Sequence, residues 1–293
     1  MSKTMVVAPI IGALVKSEDI LGKDRDWNAI NGDQSYFLER FFAAKNELPR
    51  YSDKELRSWV SWVASELNEI LKKEGFDIQL KDFDPRTFGV VSILDVLVEW
   101  LAEGSKDNLR VGGVSYPAVR MKPAAEVDGT FKTVFEVYSS PRHRHPIVVL
   151  HTKSGDKLYM TVADGAMDGF RLTTKIDEIR GSLQPDRTRY TYLRFPMVDL
   201  NQEIDISWLI GMWTGQDSIS QALQQTKFKM NQLGARVKSA VAIAVTRSVN
   251  REVGLDIDQP FYLWIERDGV TVPVMYAYLD QEDWKNPGNL SEM

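Results

Sequence analysis

Apolar positions along the chain follow two different periods, and the change comes near residue 130. In the first part the spacing is mainly helical. Thr4 to Ala8 is a short apolar run that predicts a buried strand, running into a helix that starts near Pro9, a favoured first-turn position for proline. Asp33 to Asn46 predicts a short amphipathic helix. Over Ser52 to Lys73, residues Leu56, Trp59, Val60, Val63, Leu67, Ile70 and Leu71 recur at helical spacing and predict one long helix. Ser52 and Glu55 have the spacing of a capping box, Lys72 and Lys73 face the negative end, and Gly75 follows as a stop. Val90 to Leu101 fits a buried strand or a buried helix. Its valine and isoleucine content selects a central strand.

From Lys132 onward the alternation is that of strands. Val134 to Tyr138 and Pro146 to Thr152 read as strands, and a turn at Lys153-Ser154-Gly155-Asp156 leads into a partner, Lys157 to Val162. Leu172 to Leu183 reads as a helix, Tyr190 to Val198 as a strand and Ile204 to Met212 as a short helix. Ile219 to Leu233 and Val237 to Val245 read as extended. Phe261 to Glu266 and Val272 to Leu279 form a hairpin across Arg267-Asp268-Gly269. Helix-rich and strand-rich stretches are segregated, which predicts an α+β fold. No repeat or long linker divides the chain, so 1–293 is expected to be one domain.

Composition removes several functions. There is no cysteine, which excludes disulfide frameworks, thiolate zinc sites and a cysteine nucleophile. The net charge of -5, from 36 basic and 41 acidic residues, lacks the basic footprint of a general nucleic-acid binder. No apolar run is long enough to span a bilayer. The run Met5 to Val15 has the length of a secretory-signal core, but Pro9 interrupts it and Ala13-Leu14-Val15 offers no small-x-small site. A cytoplasmic or particle-associated location is favoured, with no nucleic-acid or membrane partner. Three histidines are present. His143 and His145 are interleaved with Arg142 and Arg144 and read as a basic surface turn, with no nearby carboxylate to complete a metal site. Asp164-Gly165 with Asp168-Gly169 has the wrong spacing for a calcium loop and reads as a turn. No hydrolase, nucleotide-binding or metalloprotease motif occurs, so neither catalysis nor a cofactor or metal is expected.

The segment 234–259 stands apart. Val237, Ser239, Val241, Ile243 and Val245 fall on one face of a period-two strand, and Arg236, Lys238, Ala240, Ala242 and Ala244 on the other. A polar stretch from Thr246 to Glu252 follows, then Gln259-Pro260-Phe261 opens the last hairpin. In this order of features the chain resembles a serpin. Phe228 to Gly234 resembles the strand that ends in the family's hinge glycine, and Gln259 to Ile265 its closing proline-phenylalanine signature with a buried strand. Pro146 to Val162 resembles a family hairpin, and Arg189 to Val198 with Asp205 to Gly211 its strand-then-helix step. Leu56 to Leu71 resembles the helix lying across the main sheet, with Val90 to Trp100 as the strand beneath. The resemblance is good over about 130–280 and thin before that. The chain is shorter than usual members, with several family helices missing.

The resemblance implies a suicide inhibitor of a serine protease. The scissile bond would be Arg247–Ser248, an arginine suiting the acidic pocket of trypsin-like enzymes. Arg247 reads equally as an ordinary loop arginine. The insertion strand would run from Gly234 and Ala235 through Val237, Ser239, Val241, Ile243 and Val245. Burying its four β-branched apolar residues amounts to on the order of 6–12 kcal/mol. Two features depart from inhibitory members. Arg236, Val237 and Lys238 are bulky where a hinge carries small residues. Ala8, Ile11 and Gln224 stand where a polar cluster is expected, and Asp95 stands for an asparagine. A non-inhibitory binding or structural protein on the same fold, part of a larger assembly, is therefore the alternative.

Overall fold

The computed structural model describes residues 1, 3–23, 25–84, 87–235 and 253–290. The first third carries β1 (Lys3–Met5), α1 (Ala8–Leu21), α2 (Gly32–Arg40), a 3-10 stretch over Phe42–Arg50, β2 (Leu56–Ser61), α3 (Ala64–Lys73), β3 (Gly89–Leu94) and β4 (Val98–Glu99). Next come β5 (Ser105–Val111), β6 (Val114–Met121), β7 (Ala124–Val127), β8 (Thr130–Thr133), β9 (Phe135–Ser140), β10 (His143–His151), β11 (Lys157–Val162) and α4 (Gly169–Arg180). Then follow β12 (Gln184–Pro185), β13 (Tyr192–Pro196), β14 (Val198–Ile204), β15 (Trp213–Thr214), β16 (Asp217–Ser218), β17 (Gln224–Met230) and β18 (Gly234–Ala235). The last strands are β19 (Gly254–Asp256), β20 (Phe261–Glu266) and β21 (Met275–Leu279).

The seven-stranded sheet β1-β21-β20-β11-β10-β9-β12 divides the interior. Strand alternation sends successive side chains to opposite faces. Leu263 and Ile265 of β20 join one core with Leu158, Met160, Val148 and Leu150, which the four-stranded sheet β19-β13-β6-β5 covers through Val119, Leu193 and Phe195. Tyr262 and Trp264 enter the other core, to which α1 contributes Ile10, α2 contributes Phe37, the residue after it Phe41, and α4 Leu172 and Ile176. Helices thus lie on one face and a second sheet on the other, the α+β arrangement read from the segregated pattern. Both late hairpins form as expected, with Gly155 and Gly269 at positive φ in their turns.

The single helix expected over 52–73 is a correction. Ser52 and Glu55 form one half of the capping contact, with the Ser52 N–H and hydroxyl both donating to Glu55 Oε2 (2.9 and 3.0 Å), while the Glu55 N–H donates to the Ser52 carbonyl (2.9 Å) and not to its side chain. But the Glu55 carbonyl accepts from the Asp95 N–H at 2.7 Å, so the helical turn ends there. Leu56–Ser61 is a strand, paired with β3 in the register Trp59↔Val91 and Ser58↔Ser92, and the helix begins only at Ala64. Long-range pairing overrode a local period that fitted both states. The long strand expected over Val90 to Leu101 is likewise two pieces, β3 and β4, and neither lies in the large sheet. Asp33 to Asn46 is also divided, with α2 ending at Arg40 before the 3-10 stretch. Ile204 to Met212 contains a 3-10 turn at Ser207–Leu209.

A buried ion cluster ties these parts together. The Arg267 guanidinium, in the turn after β20, donates to Asp156 (3.0 and 2.8 Å) and to Glu55 (2.7 Å), and lies over the Tyr51 ring at 5.1 Å. Burial pushes the Tyr51 hydroxyl up to about 12. Burial also pushes Glu55 up, but its bonds to Arg267 and Ser52 outweigh this and hold it below the ordinary glutamate value. A carboxylate depressed in the folded state stabilises above its unfolded pKa, and that contribution disappears as pH falls through the folded value. Arg267→Met, which keeps the stem but leaves Asp156 buried and unpaired, is expected to cost about 3–5 kcal/mol in urea unfolding at neutral pH. The gap from wild type should narrow as the pH falls below the ordinary carboxylate range. An unchanged gap there would separate stability from this cluster's charge.

Candidate functional site

Among the described residues, two strands each lack a partner on one side. β3 pairs with β2, and β17 with β14 in the register Leu200↔Phe228 and Gln202↔Thr226. β3 and β17 do not pair with each other among the described residues, and both line one elongated cleft of about 820 Å³. That is toward the upper end of ordinary ligand-pocket sizes, roughly 300–1,000 Å³. Alternation sets the two sides of the cleft. On the inner side lie Ser92, Gln224 and Phe228, above α1 with Pro9 and Ala13. A Cβ at Gly12 would lie 2.8 Å from Ser92 Oγ, which accepts from the Ser58 hydroxyl at 2.8 Å, so glycine lets α1 come close beneath the hairpin. On the outer side Val91 and Ile93 pack with Leu67 and Leu71 of α3 and with Phe76, Ile78, Leu80 and Phe83 of the following segment.

One end of the cleft is closed. β4 and β18 pair antiparallel, Gly234 opposite Glu99 and Ala235 opposite Val98. Trp100, fully buried, donates from Nε1 to the Asn231 carbonyl at 2.9 Å, and its backbone N–H donates to the Leu233 carbonyl at 3.3 Å. The Gly104 N–H donates to the Gln232 carbonyl at 2.8 Å. Gly234 sits at φ +146, and a Cβ there would fall 2.4 Å from the Val98 carbonyl oxygen.

Of the residues singled out from the sequence, Gly234 and Ala235 form β18 at this closed end. Val237, Ser239, Val241, Ile243 and Val245, with Arg247 and Ser248, lie outside the described residues. Ala8, Ile11 and Gln224 are buried, and of the three Gln224 lines the cleft. The Gln224 amide donates to the Val6 carbonyl at 2.7 Å, and its Oε1 has no partner among the described residues. The hydroxyl contact between Ser58 and Ser92 was not anticipated. It joins two strands, one of which the helical period had hidden.

The basic turn is a second correction. His143 is buried, its Nδ1 3.0 Å from Asp164 Oδ2 and its Nε2 2.8 Å from Thr161 Oγ1. Asp164, remote in sequence, also meets Arg144 at 3.0 Å and Lys175 at 3.3 Å. The expectation that no carboxylate lies near was therefore wrong, because β10, β11 and α4 bring it in. Burial lowers the His143 pKa, partly opposed by Asp164. Burial raises Asp164, but contact with His143 and Lys175 overrides it and keeps the carboxyl below its usual range. Among the described residues no group of three His, Asp or Glu side chains is placed to hold a metal ion.

Gly234→Ala is expected to destabilise the fold by about 1–3 kcal/mol through a forbidden φ and the clash with Val98, read in denaturant unfolding. Faster amide exchange at Trp100 and Gly104 should accompany it. A variant as stable and as protected as wild type would show that β4 and β18 do not close the cleft.

This architecture has counterparts among solved structures. Serpin48, a highly specific serpin of the insect Tenebrio molitor, superimposes with a TM-score of 0.56 at 13% identity, over 95% of this chain and 91% of that one. Tengpin, a thermophilic serpin in its native state, gives 0.57 at 10% identity over 96% and 88%. Human glycosylated kallistatin gives 0.53 at 12% identity over 98% and 92%. No family model and no curated protein sequence matches the chain. The chain has a serpin-like α+β fold.

Proposed function

We propose that this serpin-fold protein inhibits trypsin-like serine proteases by accepting its own cut loop into the cleft between β3 and β17. The protease serine oxygen attacks the Arg247 carbonyl carbon. The peptide bond to Ser248 breaks, the new amine takes the proton and leaves, and Arg247 remains as an ester on the enzyme. The freed segment turns back from Gly234 and Ala235 and lies antiparallel beside β17, its other edge against β3. Val237, Val241, Ile243 and Val245 face α1, and the alanines face outward. The protein partner is the protease, and the chain acts without cofactor, metal or catalysis of its own.

The observation that carries this reading is the pair of strands, each one-sided among the described residues, that border one cleft, together with the β4–β18 pair beside it at Val98, from which the segment departs. A buried strand needs partners for its N–H and C=O groups, and an inserted segment supplies them on both sides. A second reading, binding or assembly without inhibition, also has support. Arg236, Val237 and Lys238 are bulky for a hinge, and Ala8 and Ile11 replace polar groups. Trp62 and Val63, 55% and 48% exposed, flank β2, whose outer edge is unpaired among the described residues. Exposed aromatic surface of this kind suits a protein partner.

Titration with trypsin is expected to yield a species of summed mass that survives denaturing electrophoresis. Arg247→Ala should abolish it. Protein cut at this bond should melt higher than intact protein by more than about 10 °C, the equivalent of burying four β-branched side chains. Cleavage after Arg247 with no trapped species and no rise in melting temperature would overturn inhibition and leave the binding reading.

A further inference from the structure

A strand at the margin of a sheet presents unpaired N–H and C=O groups, and most such margins here are guarded against joining another chain. The large sheet ends on β1, three residues long, and on β12, two residues that include Pro185. The four-stranded sheet ends on β19, also three residues, and on β5, which carries Lys106, Asp107 and Arg110. The outer margin of β14 carries Asp199 and Glu203. Among the described residues β2 is the exception. It runs six residues in unbroken register with β3 and holds no proline. Its one charged residue, Arg57, is engaged by Glu74, with both Nη atoms 2.7 Å from the carboxylate oxygens.

The ladder fixes which groups of β2 face outward. The Glu55 carbonyl takes the Asp95 N–H, so Arg57, Trp59 and Ser61, two, four and six positions on, also turn their backbone groups to β3. Alternation in an antiparallel pair then points the backbone groups of Leu56, Ser58 and Val60 the other way. Of these, the Leu56 N–H is already taken by the Ser52 carbonyl at 3.1 Å. Beside this edge lies a hollow of about 240 Å³, with Lys16 of α1 on one side and Glu66 and Ile70 of α3 on the other. Just past the strand, Trp62 and Val63 are exposed, and the Trp62 ring meets Phe88 edge-on with centroids 5.5 Å apart.

We propose that the outer edge of β2 is a self-association site, at which a second copy of this chain adds its own β2 antiparallel about a two-fold axis. Such an axis demands a surface that complements itself. With Ser58 of each copy opposite Ser58 of the other, Leu56 meets Val60 and Arg57 meets Trp59. The first is an apolar pair and the second a cation beside an aromatic ring, and the axis makes each occur twice. The outward N–H groups then all find acceptors: Ser58 donates to the other copy's Ser58 carbonyl, and Val60 to its Leu56 carbonyl. The Leu56 N–H, already paired within its own turn, is the one this register does not need. Trp62 and Val63 come to lie over the turn that precedes the other copy's β2 and lose their contact with water. The proposal names the partner of the exposed surface described above. It does not depend on the cleft, which lies along the opposite edge of β3.

Sedimentation of the uncut full-length chain over a dilution series is expected to show one copy giving way to two as concentration rises. Amide exchange reports on the edge itself. Ser58 and Val60 should be protected in concentrated protein and exchange fast in dilute protein, while Arg57 and Trp59, bonded to β3, stay protected in both. Val60→Pro removes an outward N–H and no bond to β3. Trp62→Lys places a charge on the same face at an exposed position, outside the ladder. Each variant should weaken association on the order of tenfold or more, and Trp62→Lys should unfold at the wild-type midpoint in dilute protein. A chain that stays single at every concentration overturns the proposal, as does association that Trp62→Lys leaves unweakened. Protection of Ser58 and Val60 that ignores concentration also overturns it, and assigns the edge to another part of the same chain. Whether trypsin is trapped enters none of these results, so the cleft reading and this one fail separately.

Discussion

Backbone groups buried between packed layers must find hydrogen-bond partners, and the organisation around the cleft follows from how β3 and β17, among the described residues, meet that demand on one side only. β2 and β14 satisfy their outer edges. The inner edges stand apart because α1 lies below, α3 and residues 75–83 lie above, and the junction of β4 with β18 fixes one end. Paired along their whole length, β3 and β17 would leave no cleft. Without the junction at Gly234, the half-sheets would be held together only through the helices and residues 75–83. Glycine is needed there for a steric reason, since any side chain would meet the Val98 carbonyl.

The large sheet supplies the rigidity against which that opening is defined. Its strands are covered on both faces, so each alternate residue serves a different core, and Tyr159 and Trp264 stack 4.8 Å apart between the sheet and the helices. The Arg267 cluster couples this sheet to the turn that launches β2. One guanidinium therefore links the stable body to the half-sheet bordering the cleft.

How far the sequence was legible depends on where its periods came from. The hairpins β10–β11 and β20–β21 were readable because alternation and turn chemistry agreed, as at Gly155 and Gly269. β2 was not, because Leu-Arg-Ser-Trp-Val-Ser satisfies a helical spacing as well as a strand one, and its partner lies far along the chain at β3. His143 was misjudged for a similar reason, since Asp164 reaches it only through tertiary packing. Residues 75–83 carried no signal of their own. They are held by two glutamines, Gln221 and Gln225, whose spacing means nothing until β17 is placed opposite them. Gly234 was singled out from the sequence and lies in β18, and the segment beyond it was readable only as a pattern of alternating faces.

One pairing carries a consequence for biosynthesis. β1 joins β21 in the register Thr4↔Ala277, so the edge strand of the large sheet waits for a partner made far later in synthesis. Until β21 has been made, β1 lacks this partner and β20 lacks one of its two. Contacts of such separation form slowly. The nascent protein thus passes through a period in which its principal sheet is unfinished and adhesive, and a chaperone that shields open strand edges would bear on yield more than on final stability.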